Sequence, residues 1–383
     1  MRALAFFSIF LFSVSVHAAV LSDSTSIVKN QPDSITKKVV SLLIKANELS
    51  VKKPWEAIKS YRTALTTNKV KDEIWEAHIR VAMGKLLSRV KSKDALPQLV
   101  KADAIFKKKN ILNGRVAAIE AIAQHQERNG QFDSALRNYN ELYRIQNKIG
   151  LSVEAGNTAS HLTDVFTRRK DYTQAFKYAD MAKNAYYKVC RMDSLGSIYY
   201  KIASLKLKLK SPKLAEYYIL NHALPYYRSS DDLNGRLKSF DFLGHLYQDQ
   251  KRYSEAKWFY LQANNQAKVI SDTSATITSL INLGVVKYLI GDLSLAKQDI
   301  SEAELLAQGD STNMQLVKRA RMRYTTMFKK LDSPVIASNT AVKKAASPAK
   351  ASQKKTAGKK VSDAVLTDNE KREKPEVDNS SDK

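Results

Sequence analysis

The sequence is poor in the residue types that build chemistry or cross-links. It has one cysteine, Cys190, so no internal disulfide is possible and stability has to come from packing. Glycine is scarce, 12 residues in 383, and nowhere forms a phosphate-cradling loop or a Gly-x-Ser-x-Gly nucleophile turn. Beyond the first residues there are five histidines, His78, His125, His161, His222 and His245. No two lie four apart on a helix and none joins a Cys/His set, so a zinc site has no support. Acid pairs such as Asp231-Asp232 read as helix starts in turns. No cofactor, no metal and no enzymatic activity are expected. Acidic residues are outnumbered 38 to 63, a net charge of +25. That excess favours encounter with acidic proteins, anionic envelope polymers or anionic membrane surfaces.

Long apolar runs are missing as well, apart from one at the start. Arg2 precedes the apolar stretch Ala3–Val16, and Val16-His-Ala18 places small residues where a signal peptidase reads. Residues 1–18 therefore read as a signal peptide, with export to the periplasm or medium as the expectation. The competing reading is an uncleaved anchor, although the run is shorter than the roughly 20 residues of a spanning helix. No cysteine follows it, which excludes a lipoprotein. No later segment is expected to span a membrane. Residues 19–32 form a polar leader, and Asp33-Ser34 reads as the cap of a first helix.

What is present is a repeat. Between Leu237 and Ala267, Phe240, Leu243, Gly244 and Tyr247 share one helical stripe, and Tyr253, Ala256, Tyr260 and Ala263 share another. Two amphipathic helices joined by a tight turn are predicted, with Gly244 and Ala256 small enough to let backbones approach. The second-helix alanine recurs at Ala135, Ala175, Ala215, Ala256 and Ala296, in steps of 40 residues with one step of 41. Fainter copies sit at Ala57 and Ala95. Seven copies fill Ser34 to about Gln308. Pro54 and Pro212 suit the first turns of second helices. Pro97 marks either a helix start or an irregular copy, and Pro225 is expected to end its helix early. Cys190, after Tyr186, Tyr187 and Val189, is expected to pack as a small hydrophobe at the end of a second helix.

These motifs resemble the tetratricopeptide repeat family over about three quarters of the chain. The best copy holds Phe240, Leu243, Gly244 and Tyr247, then Ala256, Tyr260 and Ala263; the last holds Leu280, Leu283, Gly284, Ala296, Ile300 and Ala303. Thr163 and Ala203 replace the usual glycine, and Leu142 and His222 the usual second alanine. The resemblance implies an all-α, right-handed superhelical solenoid of antiparallel helix pairs over residues 33–331. The 40-residue period resembles the bacterial regulatory and sensor branch more than the 34-residue chaperone-docking kind. The family's Lys/Asn clamp for a partner's C-terminus falls on Asp164, Ser204 and His245, so chaperone-tail docking is not expected.

In such a solenoid the first helices line the concave face. Offsets from the packing stripe place Asn157, Ser160 and Asp164 there in one copy. Ser197, Tyr200 and Ser204 follow in the next, and Lys238, Asp241, His245 and Gln248 in the third. They are polar and mixed in charge, as suits a groove for an extended peptide or a partner helix; singly, each also suits plain solvated surface.

Thr312–Leu331 reads as a single capping helix with the stripe Val317, Ala320, Tyr324, Met327, Phe328 and Leu331. Residues 332–383 read as a disordered tail, Lys/Ala/Ser-rich and then mixed in charge; from Ser333 on it supplies only about four of the net positive charges. Three functions remain open: an exported scaffold for a protein or peptide, most simply an acidic one; a stand-alone sensor acting through a separate signalling protein; and polyanion binding. Nucleic acid is not an expected partner of an exported chain, and the oligomeric state is open.

Overall fold

The computed structural model describes residues 34–67 and 72–333. The signal segment, the leader, Asp33 and the tail beyond Ser333 lie outside the described residues. The chain divides into two compact units between Thr325 and Thr326, and every helix pair lies in the first.

The described residues are all-α. First helices are α1 (Ser34–Lys52), α3 (Glu73–Arg89), α5 (Leu112–Arg128), α7 (Ser152–Arg168), α9 (Met192–Lys208), α12 (Leu233–Asp249) and α14 (Thr273–Ile290). Their second helices are α2 (Pro54–Thr67), α4 (Ala95–Lys108), α6 (Phe132–Lys148), α8 (Tyr172–Tyr187), the broken pair α10 (Pro212–Tyr218) and α11 (Leu224–Ser229), α13 (Tyr253–Val269) and α15 (Leu293–Ala307). Each first helix packs on its own second helix, and each second helix on the next first helix, giving seven stacked hairpins. Helix α16 (Ser311–Arg323) packs on α14 and α15 and closes the array. The cap is not one helix: the backbone breaks at Tyr324 (φ −116°, ψ 40°) and α17 (Thr325–Leu331) follows.

The module is half a repeat. From α5 to α14, residues with left-handed backbone close the helices at Gly130, Gly150, Lys170, Cys190, Lys210, Asp231, Lys251, Ser271 and Gly291. These positions are 20 residues apart except for one step of 21. Each turn is closed the same way; after α12, Lys251 N–H donates to Gln248 O (2.9 Å) and Arg252 N–H to Tyr247 O (2.8 Å). Aspartates begin the helices that follow: Asp171, Asp232, Asp272 and Asp310 each accept from backbone N–H groups one turn on. Cys190 belongs to this turn set and is exposed, not packed. Helix α8 ends at Tyr187, and φ +50° places Cys190 in the turn beyond it.

Ala57, Ala95, Ala135, Ala175, Ala215, Ala256 and Ala296 are all buried at the hairpin contacts. Glycines on first helices seat an aromatic ring from a second helix. A Cβ on Gly244 would stand 2.5 Å from Tyr260, and one on Gly156 2.4 Å from Tyr186. Tyr227 fills both Gly196 and Gly235, 2.7 and 2.2 Å from where their Cβ atoms would be. A Cβ on Gly284 would lie 2.9 Å from Ile300.

The step of 41 has a local cause. Ile219–Ala223 is a single π-helical turn between α10 and α11, which takes up one extra residue. His222 therefore leaves the seat of the second alanine, and Ala223, fully buried, takes it. Pro225 does not end the helix; it sits in the first turn of α11, where its missing N–H is cheap. Pro97 similarly lies in the first turn of α4, which begins at Ala95. Helix α14 is long and apolar enough to cross a membrane by length and composition, against the sequence expectation. Ile277, Leu280, Leu283, Val285 and Val286 are spent on the core, so hydropathy here reflects a first helix enclosed by its neighbours.

Candidate functional site

From α7 to α14, polar and aromatic side chains join successive first helices. Lys201 of α9 reaches back to α7, where its Nζ donates to Ser160 Oγ (2.8 Å) and Asp164 Oδ2 (2.7 Å). Tyr200 of α9 meets Phe242 of α12 edge-on, ring centroids 5.7 Å apart. Asn282 of α14 donates from Nδ2 to Asp241 Oδ1 of α12 at 3.3 Å. The three contacts use equivalent positions in consecutive copies, so the first-helix face from α7 to α14 is one continuous row.

The sequence-predicted residues are distributed along this row. Ser160, Asp164, Tyr200 and Asp241 are brought into it directly. His245 lies one turn from Asp241, its Nε2 3.6 Å from Asp241 Oδ2, and its Nδ1 is 2.7 Å from the Tyr260 hydroxyl. The same hydroxyl donates to Gln248 Oε1 at 2.9 Å, so the imidazole Nδ1 is the donor to the phenol oxygen. Asn157 is occupied from below, accepting from the Tyr186 hydroxyl at 2.8 Å. Ser204 bonds back to Tyr200 O within its own helix. Ser197 and Lys238 are exposed; Ser197 hydrogen-bonds the Tyr227 hydroxyl of α11, and neither joins the row between first helices.

Lys201, Phe242 and Asn282 were missing from the sequence-based set. Lys201 and Phe242 directly follow the predicted Tyr200 and Asp241, whereas Asn282 lies on α14, where the sequence-based set has no member; all three span to the previous copy. The signal was available in the spacing, since Ser160 with Lys201 and Asp241 with Asn282 are both 41 residues apart.

Burial raises the Asp241 carboxyl above the ordinary carboxylate value, and His245 and Asn282 only partly offset it. Burial also raises the Tyr200 hydroxyl, reinforced by the charge of Asp241. A second cluster lies towards the ends of α5 and α7. Glu127 accepts from the Tyr139 hydroxyl (2.8 Å) and pairs with His161 (2.7 Å). Burial pushes its carboxyl up, but the bonds from His161 and Tyr139 hold it below the ordinary value. It borders a shallow cavity of about 80 Å³ with Phe132, Asp133, Phe166 and Arg169. Among the described residues no group of three His, Cys, Asp or Glu is placed to hold a metal ion.

No family model and no curated protein matches the chain. Solved structures do match in fold, and tetratricopeptide repeat proteins are its structural neighbours. One is a signal transduction ATPase with numerous domains that carries a tetratricopeptide repeat sensor, from Pyrococcus horikoshii. It is 17% identical with a TM-score of 0.58, over 77% of this chain and 44% of that one. The chain thus spans less than half the length of that relative. Another is the C-terminal part of a TPR repeat-containing protein from Cytophaga hutchinsonii, 11% identical with a TM-score of 0.54 over 71% of this chain and 98% of that one. The fold is therefore that of a tetratricopeptide repeat solenoid.

Proposed function

We propose that this chain is an exported, non-enzymatic scaffold that holds a protein or peptide segment on the face built by first helices α7, α9, α12 and α14. The supporting observation is the continuous row Ser160–Lys201, Tyr200–Phe242, Asp241–Asn282. Consecutive hairpins share their hydrophobic cores, so surface links between first helices are not needed to hold the stack. They set polar and aromatic groups at a fixed spacing, which an extended segment can follow. The test is cross-linking in intact cells with mass spectrometry, comparing wild type with the double variant Tyr200→Ala, Asp241→Ala. A partner lost in the variant supports the reading. A partner kept in the variant but lost without residues 333–383 moves function to that segment and overturns it.

A regulatory reading is second, and the fold of the Pyrococcus repeat sensor favours it. The array would then report partner binding to a separate signalling protein. An unchanged transcriptome on deletion of the gene would remove it.

A further inference from the structure

The repeat supplies an internal comparison for Asp241. In the contact from α7 to α9, the polar pair Ser160 and Asp164 receives the ammonium of Lys201. One hairpin on, the same positions hold Tyr200 and Phe242, ring against ring. In the contact from α12 to α14, the lysine position is occupied by Asn282, whose amide is neutral. The carboxylate is still present, moved one turn to Asp241. Among the described residues the basic side chain nearest it is His245, whose Nε2 lies 3.6 Å from Oδ2. Lys238, one turn earlier on α12, makes no ion pair with it. Asp241 is thus a partly desolvated carboxylate beside an aromatic pair, facing an amide where its counterpart faces a lysine.

We infer that Asp241, with Tyr200 and Phe242 beside it and Asn282 across from it, receives the cationic side chain of a lysine or arginine from a bound peptide segment. The inference rests on the scaffold reading above and names the chemistry of one subsite within it. An ammonium or guanidinium there gains the carboxylate and lies beside the edge-to-face aromatic pair. The long-range field works against this ligand, because a chain of net charge +25 repels basic peptides. A preference for lysine or arginine must therefore arise locally. The partner can be acidic overall, as the net charge favours, and still place one basic residue here.

The experiment selects a displayed library of random linear peptides against the full chain at physiological salt. Wild type, Asp241→Asn and Asn282→Lys are compared; the last supplies the internal cation that α9 already carries. Wild type is expected to enrich peptides with lysine or arginine at one fixed position. Synthetic copies should lose about tenfold or more in affinity when that residue becomes norleucine, and equally on Asp241→Asn, the scale of a close charge pair. Asn282→Lys should abolish the preference with the carboxylate intact. Basic peptides selected equally well by Asp241→Asn would overturn the inference, as would an acidic or neutral consensus. If such neutral peptides still need Tyr200, the groove reading stands and only the subsite falls. If no peptide is enriched, both fall. Circular dichroism and thermal melting of each variant separate loss of the site from loss of the fold.

Discussion

Gly244 has no side chain because the ring of Tyr260 occupies the space one would fill. Gly244→Leu therefore drives α12 from α13, and a loss of about 1–3 kcal/mol is expected in urea melts. The turns show the reverse case. Ser271 holds φ +57°, where an L-residue is strained and glycine is not. Ser271→Gly should stabilise by about 0.5–1 kcal/mol after the entropy that glycine adds to the unfolded chain, read as a higher Tm. Asp241 predicts a pH effect. Its folded value lies above its unfolded one, so the fold binds that proton more tightly. Its ionisation then costs stability: the cost is absent below the unfolded value and complete above the folded one. Asp241→Asn should raise Tm at neutral pH, and the gap to wild type should close as pH falls through the carboxylate range. A gap independent of pH would mean the carboxyl is not desolvated.

At the scale of the element, the π turn in Ile219–Ala223 keeps a second helix in register despite one extra residue. Ala223 and Tyr227 sit in the seats that Ala182 and Tyr186 occupy one hairpin earlier. Removing the extra residue should be tolerated when the proline that suits the break is replaced too. Deletion of His222 with Pro225→Ala is expected to cost less than about 1 kcal/mol, since a regular helix delivers the same side chains. Deletion of Gln262 from regular α13 rotates Ala263, Asn264 and Ala267 out of their seats and should cost more than about 3 kcal/mol. Equal losses in urea melts would show that the π turn does no register work. Part of this was legible in the sequence: the step of 41 showed that a residue had been added. The sequence-based seat fell on His222 because α-helical counting assumes an uninterrupted helix. Cys190 failed similarly, since helix α8 stops at Tyr187 and the turn, not the core, receives the thiol.

For the molecule as a whole, the charge of +25 is not carried by the C-terminal segment, which adds about four. Removing residues 333–383 should therefore leave most binding to a polyanionic matrix, and that binding should fall linearly with salt on logarithmic axes. A truncated chain that no longer binds would assign the interaction to the tail. Sequence alone determined the repeat, its period, its small-residue seats and the helix pairs, because helical periodicity and side-chain volume act over a few residues and leave a visible pattern. It also reached Ser160, Asp164, Tyr200 and Asp241, which follow from the face opposite the packing stripe. Only the tertiary structure decided which of these meet Lys201, Phe242 and Asn282. Those partners lie a full repeat away, and stacking, through the crossing of one hairpin on the next, sets whether a side chain spans to its neighbour or ends in solvent.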